Sequence, residues 1–244
     1  MTEIADNRIK EHSLENKKTT VVDLSGQIIS SVSHELRNPL AILSSNIELL
    51  KHMKFTADGK IMDETFYLCE EALKAMTRFV DDISLLNSFN KNNRKAQYEE
   101  FVLGELFQEI VQQFPEHNRS RVLLVTNHEA ARFYTDPFLL SVILKNLIGN
   151  ALKFSSEQVV LKAECRNKEL NVRIEDSGLG IPQDEADRVF EPFYRGSNVK
   201  FMSGSGLGLA IVKRSMDLLN GTVEVNSLID HGTTFNIKIR SNGC

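Results

Sequence analysis

The chain has no excess of basic residues: 29 Lys and Arg stand against 33 Asp and Glu, a formal net charge of −4. That balance gives no polybasic surface, so no nucleic-acid partner is expected and membrane contact is not evident. Cysteine is scarce. Cys69, Cys165 and Cys244 form no CxxC pair and no His/Cys cluster with metal spacing. Their odd number argues against a disulfide framework and for a reducing, cytoplasmic setting. No stretch approaches the roughly 20 apolar residues that cross a bilayer, and the polar residues 1–18 lack the apolar core of a signal peptide. A membrane tether in a longer parent protein stays open. Internal repeats and low-complexity tracts are absent too, while 244 residues are enough for one large domain or two small ones, each with its own core.

What is present begins with helical periodicity. Val21, Leu24, Ile28, Val32, Leu36, Leu40, Leu43, Ile47 and Leu50 recur every three or four residues, as one buried face of a helix does. His34, two residues from both Val32 and Leu36, points roughly 200° away from that stripe at about 100° per residue. An exposed imidazole with an acidic neighbour, Glu35, on a rigid helix is available to a reactant. His34, Asn38, Ala41, Ser45, Glu48 and His52 share its face. Pro39 leaves the Glu35 carbonyl without its helical N–H partner and predicts a kink beside the histidine.

A second stripe, Phe66, Cys69, Leu73, Met76, Val80, Ile83 and Leu86, follows an N-cap assigned to Asp63, with Asp58-Gly59 as the turn between the helices. Two long one-sided helices cannot cover each other's apolar faces completely. The expected unit is therefore a helical hairpin that forms a four-helix bundle as a homodimer.

Residues 87–100 are polar and break the periodicity. Beyond them Val159, Leu161, Ala163 and Cys165 alternate, as do Leu170, Val172 and Ile174, then Val223 and Val225, then Phe235, Ile237 and Ile239. Helical segments are predicted at about 103–114, 137–154 and 207–219. The pattern reads as an α+β sandwich with helices over one face of a mixed sheet. The domain expectation is thus a linker or signalling-helix end at 1–20, an all-α dimerisation unit at 21–92 and an α+β unit at 99–241.

Three places in the second unit carry candidate chemistry. Asn146, Asn150 and Lys153 fall opposite the apolar side of the helix opened by Asp136-Pro137. They form a polar row suited to a hard divalent ion and phosphate, or else a solvated face. Asp176 shares the parity of Leu170, Val172 and Ile174, so its carboxylate points to the apolar side and needs a donor, from a ligand or from its own turn. Gly204, Gly206 and Gly208 precede a helix ending at Asn220-Gly221, where backbone N–H groups suit an anion. The spacing is neither G-x-G-x-x-G nor a P-loop, and alone it is a weak signal.

Ser33-His34-Glu35-Leu36-Arg37-Asn38-Pro39-Leu40 resembles the phosphoacceptor box of sensor histidine kinases of two-component systems. Downstream, in the same order as in that family, Asn146-Leu-Ile-Gly-Asn150-Ala-Leu-Lys153-Phe154 is similar to the N box and Asp176-Ser-Gly178-Leu-Gly180 to the first glycine box. Phe190-Glu-Pro-Phe-Tyr-Arg195 is similar to the F box, Gly204-Ser-Gly206-Leu207-Gly208 to the second glycine box, and residues 230–235 to a closing glycine turn. The resemblance covers about residues 22–240. It implies a phosphoacceptor domain followed by a Bergerat-type ATPase domain, like those of gyrase B, mismatch-repair ATPases and heat-shock chaperones. It also implies ATP and Mg²⁺ as cofactors and a response regulator receiver domain as partner.

Residue by residue, the resemblance implies phosphorylation of His34, a general base or orienting role for Glu35, and water orientation for regulator dephosphorylation at Asn38. Asn150 would hold Mg²⁺, Asn146 would line the nucleotide site, Lys153 would contact phosphate and Phe154 would pack near adenine. Asp176 would accept from the adenine amino group, with Gly178 and Gly180 letting the backbone approach the base. Arg195, Gly204, Gly206, Leu207 and Gly208 would surround the phosphates, residues 195–206 forming a lid that is mobile when empty. Two rivals remain, an ATP-binding conformational scaffold and a Bergerat ATPase that does not use histidine, although no matched catalytic position is degraded.

Overall fold

The computed structural model describes residues 30–52, 59–90, 94–126, 130–200, 202 and 204–241. Expectations for the linker at 1–20, for Val21, Leu24 and Ile28, and for the turn residue Asp58 lie outside the described residues. The chain divides into two compact units, residues 1–81 and 82–244.

In the first unit, helix α1 covers residues 30–52 and runs on through Pro39, while α2 spans Gly59–Asn90. The start of α2 corrects the sequence reading, because Gly59 belongs to the helix and Asp63 lies inside it. Residues 60–62, Lys-Ile-Met, are sound helix formers, and the Thr65 hydroxyl already donates to the Ile61 carbonyl one turn back (2.7 Å). The buried seam of α2 is also rotated from the predicted stripe. Thr65, Ala72 and Phe79 are buried at heptad spacing, whereas Phe66, Leu73 and Val80 are 51, 54 and 52% exposed. On α1, Leu40, Ile42, Ile47 and Leu49 are exposed as well. The helices therefore carry more apolar surface than one hairpin covers.

The second unit is the α+β sandwich. Its main sheet combines β2 (Val122–Thr126), β4 (Val159–Arg166), β5 (Glu169–Asp176), β6 (Thr222–Leu228) and β7 (Gly232–Arg240) in the order β2-β4-β5-β7-β6. The β2–β4 pair is parallel and the others antiparallel. A separate antiparallel pair joins β1 (Glu99–Val102) to β3 (Arg132–Thr135). Alternation delivers Leu161, Ala163, Leu170, Val172, Ile174, Phe235, Ile237 and Ile239 to one face, all buried. That face is covered by α3 (Leu103–Gln112), α5 (Pro137–Phe154) and α6 (Gly208–Leu218), with a short α4 (Glu116–Arg119) between α3 and β2.

Strands β1, β2 and β3 were not anticipated. The first and last are four residues each, and β2 is an edge strand whose exposed Leu123 and Val125 break the apolar-in, polar-out rule. α5 alone among the described helices is long and apolar enough to cross a membrane by composition. It is instead the core helix, with Leu139, Leu140, Ile143, Leu144, Leu147, Ile148, Ala151 and Leu152 all buried.

Candidate functional site

His34 is exposed on α1, and so are Asn38, Ala41, Ser45, Glu48 and His52, a single solvent-facing row along that helix. Glu35 is half-buried beside the histidine.

In the second unit, α5 begins as the sequence predicts. Asp136 caps it by accepting from the Leu139 N–H (2.9 Å), and its other oxygen accepts from the Gln97 N–H (2.8 Å), so a buried carboxylate is satisfied twice. With the start of the helix fixed, Asn146, Asn150 and Lys153 lie on the side away from its most buried positions. The Asn146 amide donates to the Val142 carbonyl (2.9 Å), which turns its oxygen toward the second glycine box: a methyl on Gly208 would lie 2.6 Å from Asn146 Oδ1. Lys153 behaves likewise. Its Nζ would lie 2.5 Å from a methyl on Gly204, and it stands 4.5 Å over the Phe154 ring. The fold thus brings the N-box residues and the second glycine box together.

The first glycine box joins them through Phe154. The Leu179 N–H donates to the Phe154 carbonyl (3.2 Å), and a methyl on Gly178 would strike the same carbonyl. Close approach of two backbones is therefore what demands glycine at 178, and by the same geometry Gly180 faces the Leu228 carbonyl. Gly178→Ala is expected to destabilise the protein by about 1–3 kcal/mol through this overlap, measured as a lower urea midpoint at unchanged slope.

Asp176 is half-buried, on the parity the sequence assigned. Its Oδ1 accepts from the Gly178 N–H (2.9 Å), so the carboxylate caps its own turn. Burial pushes this carboxyl above the usual carboxylate range, while the N–H groups of Gly178 and Thr233 pull it down.

Two residues expected to contact the nucleotide have partners within the protein. Leu207 is fully buried and its N–H donates to Ser205 Oγ (3.3 Å), so its side chain is core. The Arg195 guanidinium donates to the carbonyls of Val199 (3.2 Å) and Met202. The described residues of this segment make further ties. Residues 197–199 form a 3-10 turn, the Ser197 N–H donates to Glu185 Oε2 (3.0 Å), and the Asn198 amide donates to the Gly180 carbonyl (2.9 Å). Hydrogen bonds from Ser197, its side chain first and then its backbone N–H, keep Glu185 below the usual carboxylate range.

Gly206 (φ +68°) passes close to the F box, a methyl there meeting the Tyr194 carbonyl at 2.7 Å. Its own carbonyl accepts from Phe193, a non-glycine residue held at φ +65°. Phe190 packs edge-on against Phe235, with ring centroids 6.5 Å apart. The turn at Asp230 (φ +58°) and Gly232 is the structural hairpin between β6 and β7.

Glu185, Asn198 and Ser205, and Arg121 beyond them, were not singled out from the sequence. All four act on backbone groups, which leave no residue-type signature. Among the described residues no cluster of three His, Cys, Asp or Glu side chains is placed to hold a metal.

Residues 24–91 match the family model of the His Kinase A (phospho-acceptor) domain. Residues 135–243 match that of the histidine kinase-, DNA gyrase B- and HSP90-like ATPase. Among curated proteins, the signal transduction histidine-protein kinase ArlS of Staphylococcus haemolyticus is 26% identical over 86% of this chain and 48% of its own length. Sensor protein kinase WalK of Staphylococcus saprophyticus is 28% identical over 87% and 36%. The chain thus spans about half, or less, of the length of these relatives.

Among solved structures, Acinetobacter baumannii histidine kinase AdeS superposes with TM-score 0.66 at 24% identity, covering 86% of this chain and 98% of that one, a likeness of fold. The catalytic domain of histidine kinase ThkA gives TM-score 0.53 at 26% identity over 59% and 96%. A structure of ThkA in complex with response regulator protein TrrA gives 0.65 at 21% over 95% and 66%.

Proposed function

The chain belongs to the histidine kinase family, joining a phosphoacceptor domain to an ATPase domain, and from that premise we propose that it phosphorylates itself on His34 with ATP and passes the phosphoryl group to an aspartate of a response regulator. The observation that carries this reading is the exposed His34, with half-buried Glu35 beside it, in the phosphoacceptor domain of a chain whose other unit gathers Asn146, Lys153, Asp176 and the glycine boxes.

One imidazole nitrogen of His34 attacks the γ-phosphorus in line. The N–P bond forms, the bond to the β–γ bridging oxygen breaks, and ADP leaves with that electron pair. Glu35 accepts the proton of the other ring nitrogen, so the phosphorylated ring ends neutral. Asn150 would hold Mg²⁺, which when bound offsets the charge on the phosphate oxygens. Lys153, lodged between the Phe154 ring and Gly204, meets the phosphates, and Asp176 meets the adenine amino group. Asn38, one turn from His34, would orient water for dephosphorylation of the regulator. The exposed row from His34 to His52 is the docking face for the receiver domain. The test is incubation with γ-labelled ATP and Mg²⁺. Label should enter the protein, move to a receiver domain on its addition, and fail to enter when EDTA is present.

The working form is a homodimer. Support comes from the second apolar seam of α2, where Phe66, Leu73 and Val80 are about half exposed at heptad spacing. Leu73→Glu combined with Val80→Glu is expected to convert a dimer into a monomer in sedimentation equilibrium, because charges in such a seam lack partners. A wild-type chain that sediments as a monomer at micromolar concentration would remove this part of the reading. A cytoplasmic setting fits the scarcity of cysteine.

A further inference from the structure

We infer that Arg121 is a positioning residue for the nucleotide: its guanidinium locks the C-terminal turn of α5 and thereby holds Lys153 and Phe154 against the first glycine box. This rests on the reading that the second unit binds ATP.

The C-terminus of α5 needs such a clamp. The helix ends at Ser155 in extended backbone (φ −118°, ψ 149°) without a left-handed glycine cap, so its last carbonyls lack the partners a Schellman turn would supply. Arg121 provides donors from 31 to 36 residues away in sequence. Nη1 donates to the Leu152 carbonyl (3.3 Å), Nη2 to Ser155 (2.6 Å) and Glu157 (2.9 Å), and Nε to Glu157 again (3.3 Å). The residue is itself anchored. It directly precedes β2, and its carbonyl accepts from the Val159 N–H (2.9 Å) where the β2–β4 ladder begins. One guanidinium thus ties the sheet edge to the helix end and to the loop that follows.

The clamp encloses the residues that meet the nucleotide. Lys153 and Phe154 lie between the clamped carbonyls of Leu152 and Ser155. Phe154 passes the constraint on, because its carbonyl holds the Leu179 N–H and its ring supports the Lys153 ammonium. The charge of Arg121 also matters. A helix C-terminus carries about half a negative charge, the wrong end for an approaching polyphosphate, and a guanidinium on its carbonyls offsets that field. Lysine would keep the charge but lose the planar fork that reaches three carbonyls at once.

The experiment compares wild type, Arg121→Ala and Arg121→Lys by calorimetric titration with a non-hydrolysable ATP analogue. Thermal unfolding and the rate of labelling at saturating ATP are measured in parallel. The expected Kd is raised about tenfold in Arg121→Ala and about threefold in Arg121→Lys, well below either Tm, with the saturated rate within about twofold of wild type. Ile237→Val, a core change on β7 outside the set of carbonyls that Arg121 holds, serves as the control, lowering Tm without moving Kd. If Arg121→Ala does not fold, Arg121→Lys decides alone. A lowered Tm with an unchanged Kd would overturn the inference, leaving Arg121 a structural clamp only. A wild-type protein that binds no analogue overturns the ATP reading itself, and this inference with it.

Discussion

Replacing His34 with alanine is expected to cut phosphoryl transfer from ATP to the protein by on the order of 10³-fold or more, to background, because it removes the nucleophile and not an accessory. No neighbour can substitute. His52, the other histidine on the same exposed row, lies eighteen residues further along α1, about 27 Å away at the rise of an α-helix. Affinity for an ATP analogue should stay at the wild-type value, since the residues assigned to the nucleotide all lie in the other unit. In the wild type the label should be lost in acid and kept in alkali, as an N-linked phosphoryl group requires. Undiminished label in the alanine variant would remove His34 as the acceptor, and label that survives acid would assign the acceptor to a hydroxyl side chain and end the histidine kinase reading.

Substitution of Asp176 by asparagine should weaken ATP about ten- to a hundredfold, the range for losing one hydrogen bond to a charged acceptor. The pH dependence makes the prediction sharper. Burial raises this carboxyl's pKa in the folded protein. A group whose pKa is higher folded than unfolded stabilises the fold below its unfolded pKa, and that contribution is lost as pH rises through the folded value. The unliganded wild type should therefore lose stability relative to Asp176→Asn as pH climbs from the unfolded to the raised folded pKa. Nucleotide affinity should move in the opposite direction, strengthening over the same window as the carboxylate forms. Asp176→Asn should show neither trend. Urea unfolding and analogue titration across that window test both; identical wild-type and variant profiles would show that Asp176 does not titrate in contact with the ligand.

Such opposed trends describe a site that carries a cost for its function. The Asp176 carboxylate sits among apolar strand residues, Phe193 holds a left-handed backbone and Gly178 abuts a carbonyl. All three lie in the first glycine box or the F box.

Much of this was legible in the residues themselves. The limits of α5 are given by Asp136-Pro137 at one end and the loss of apolar periodicity at the other, and the structure has the helix at Pro137–Phe154. Strands β4, β5, β6 and β7 announce themselves by alternation, and Asp176 falls on the inward parity as a strand's period of two requires. The exposure of His34 follows from the phase of a helix. Caps, alternation and helical phase all relate residues a few positions apart, so a linear sequence displays them.

Other features came only with the tertiary fold. The stripe through Phe66, Leu73 and Val80 is the open seam of α2, whereas Thr65, Ala72 and Phe79 are enclosed, because the choice between adjacent helical seams depends on what packs there. Leu207 became core and Arg195 turned to the carbonyls of Val199 and Met202. Arg121 was invisible until the chain folded. Its partners are main-chain carbonyls, which every residue possesses, so their identity is written in no side chain and is set only when β2 is laid beside the end of α5. The sequence by itself determined the family, the helices and strands with strong periodicity, and the exposed histidine of the phosphoacceptor box. The tertiary structure decided which backbone groups those elements bring within hydrogen-bonding reach of one another, since that depends on distances between segments far apart in the chain.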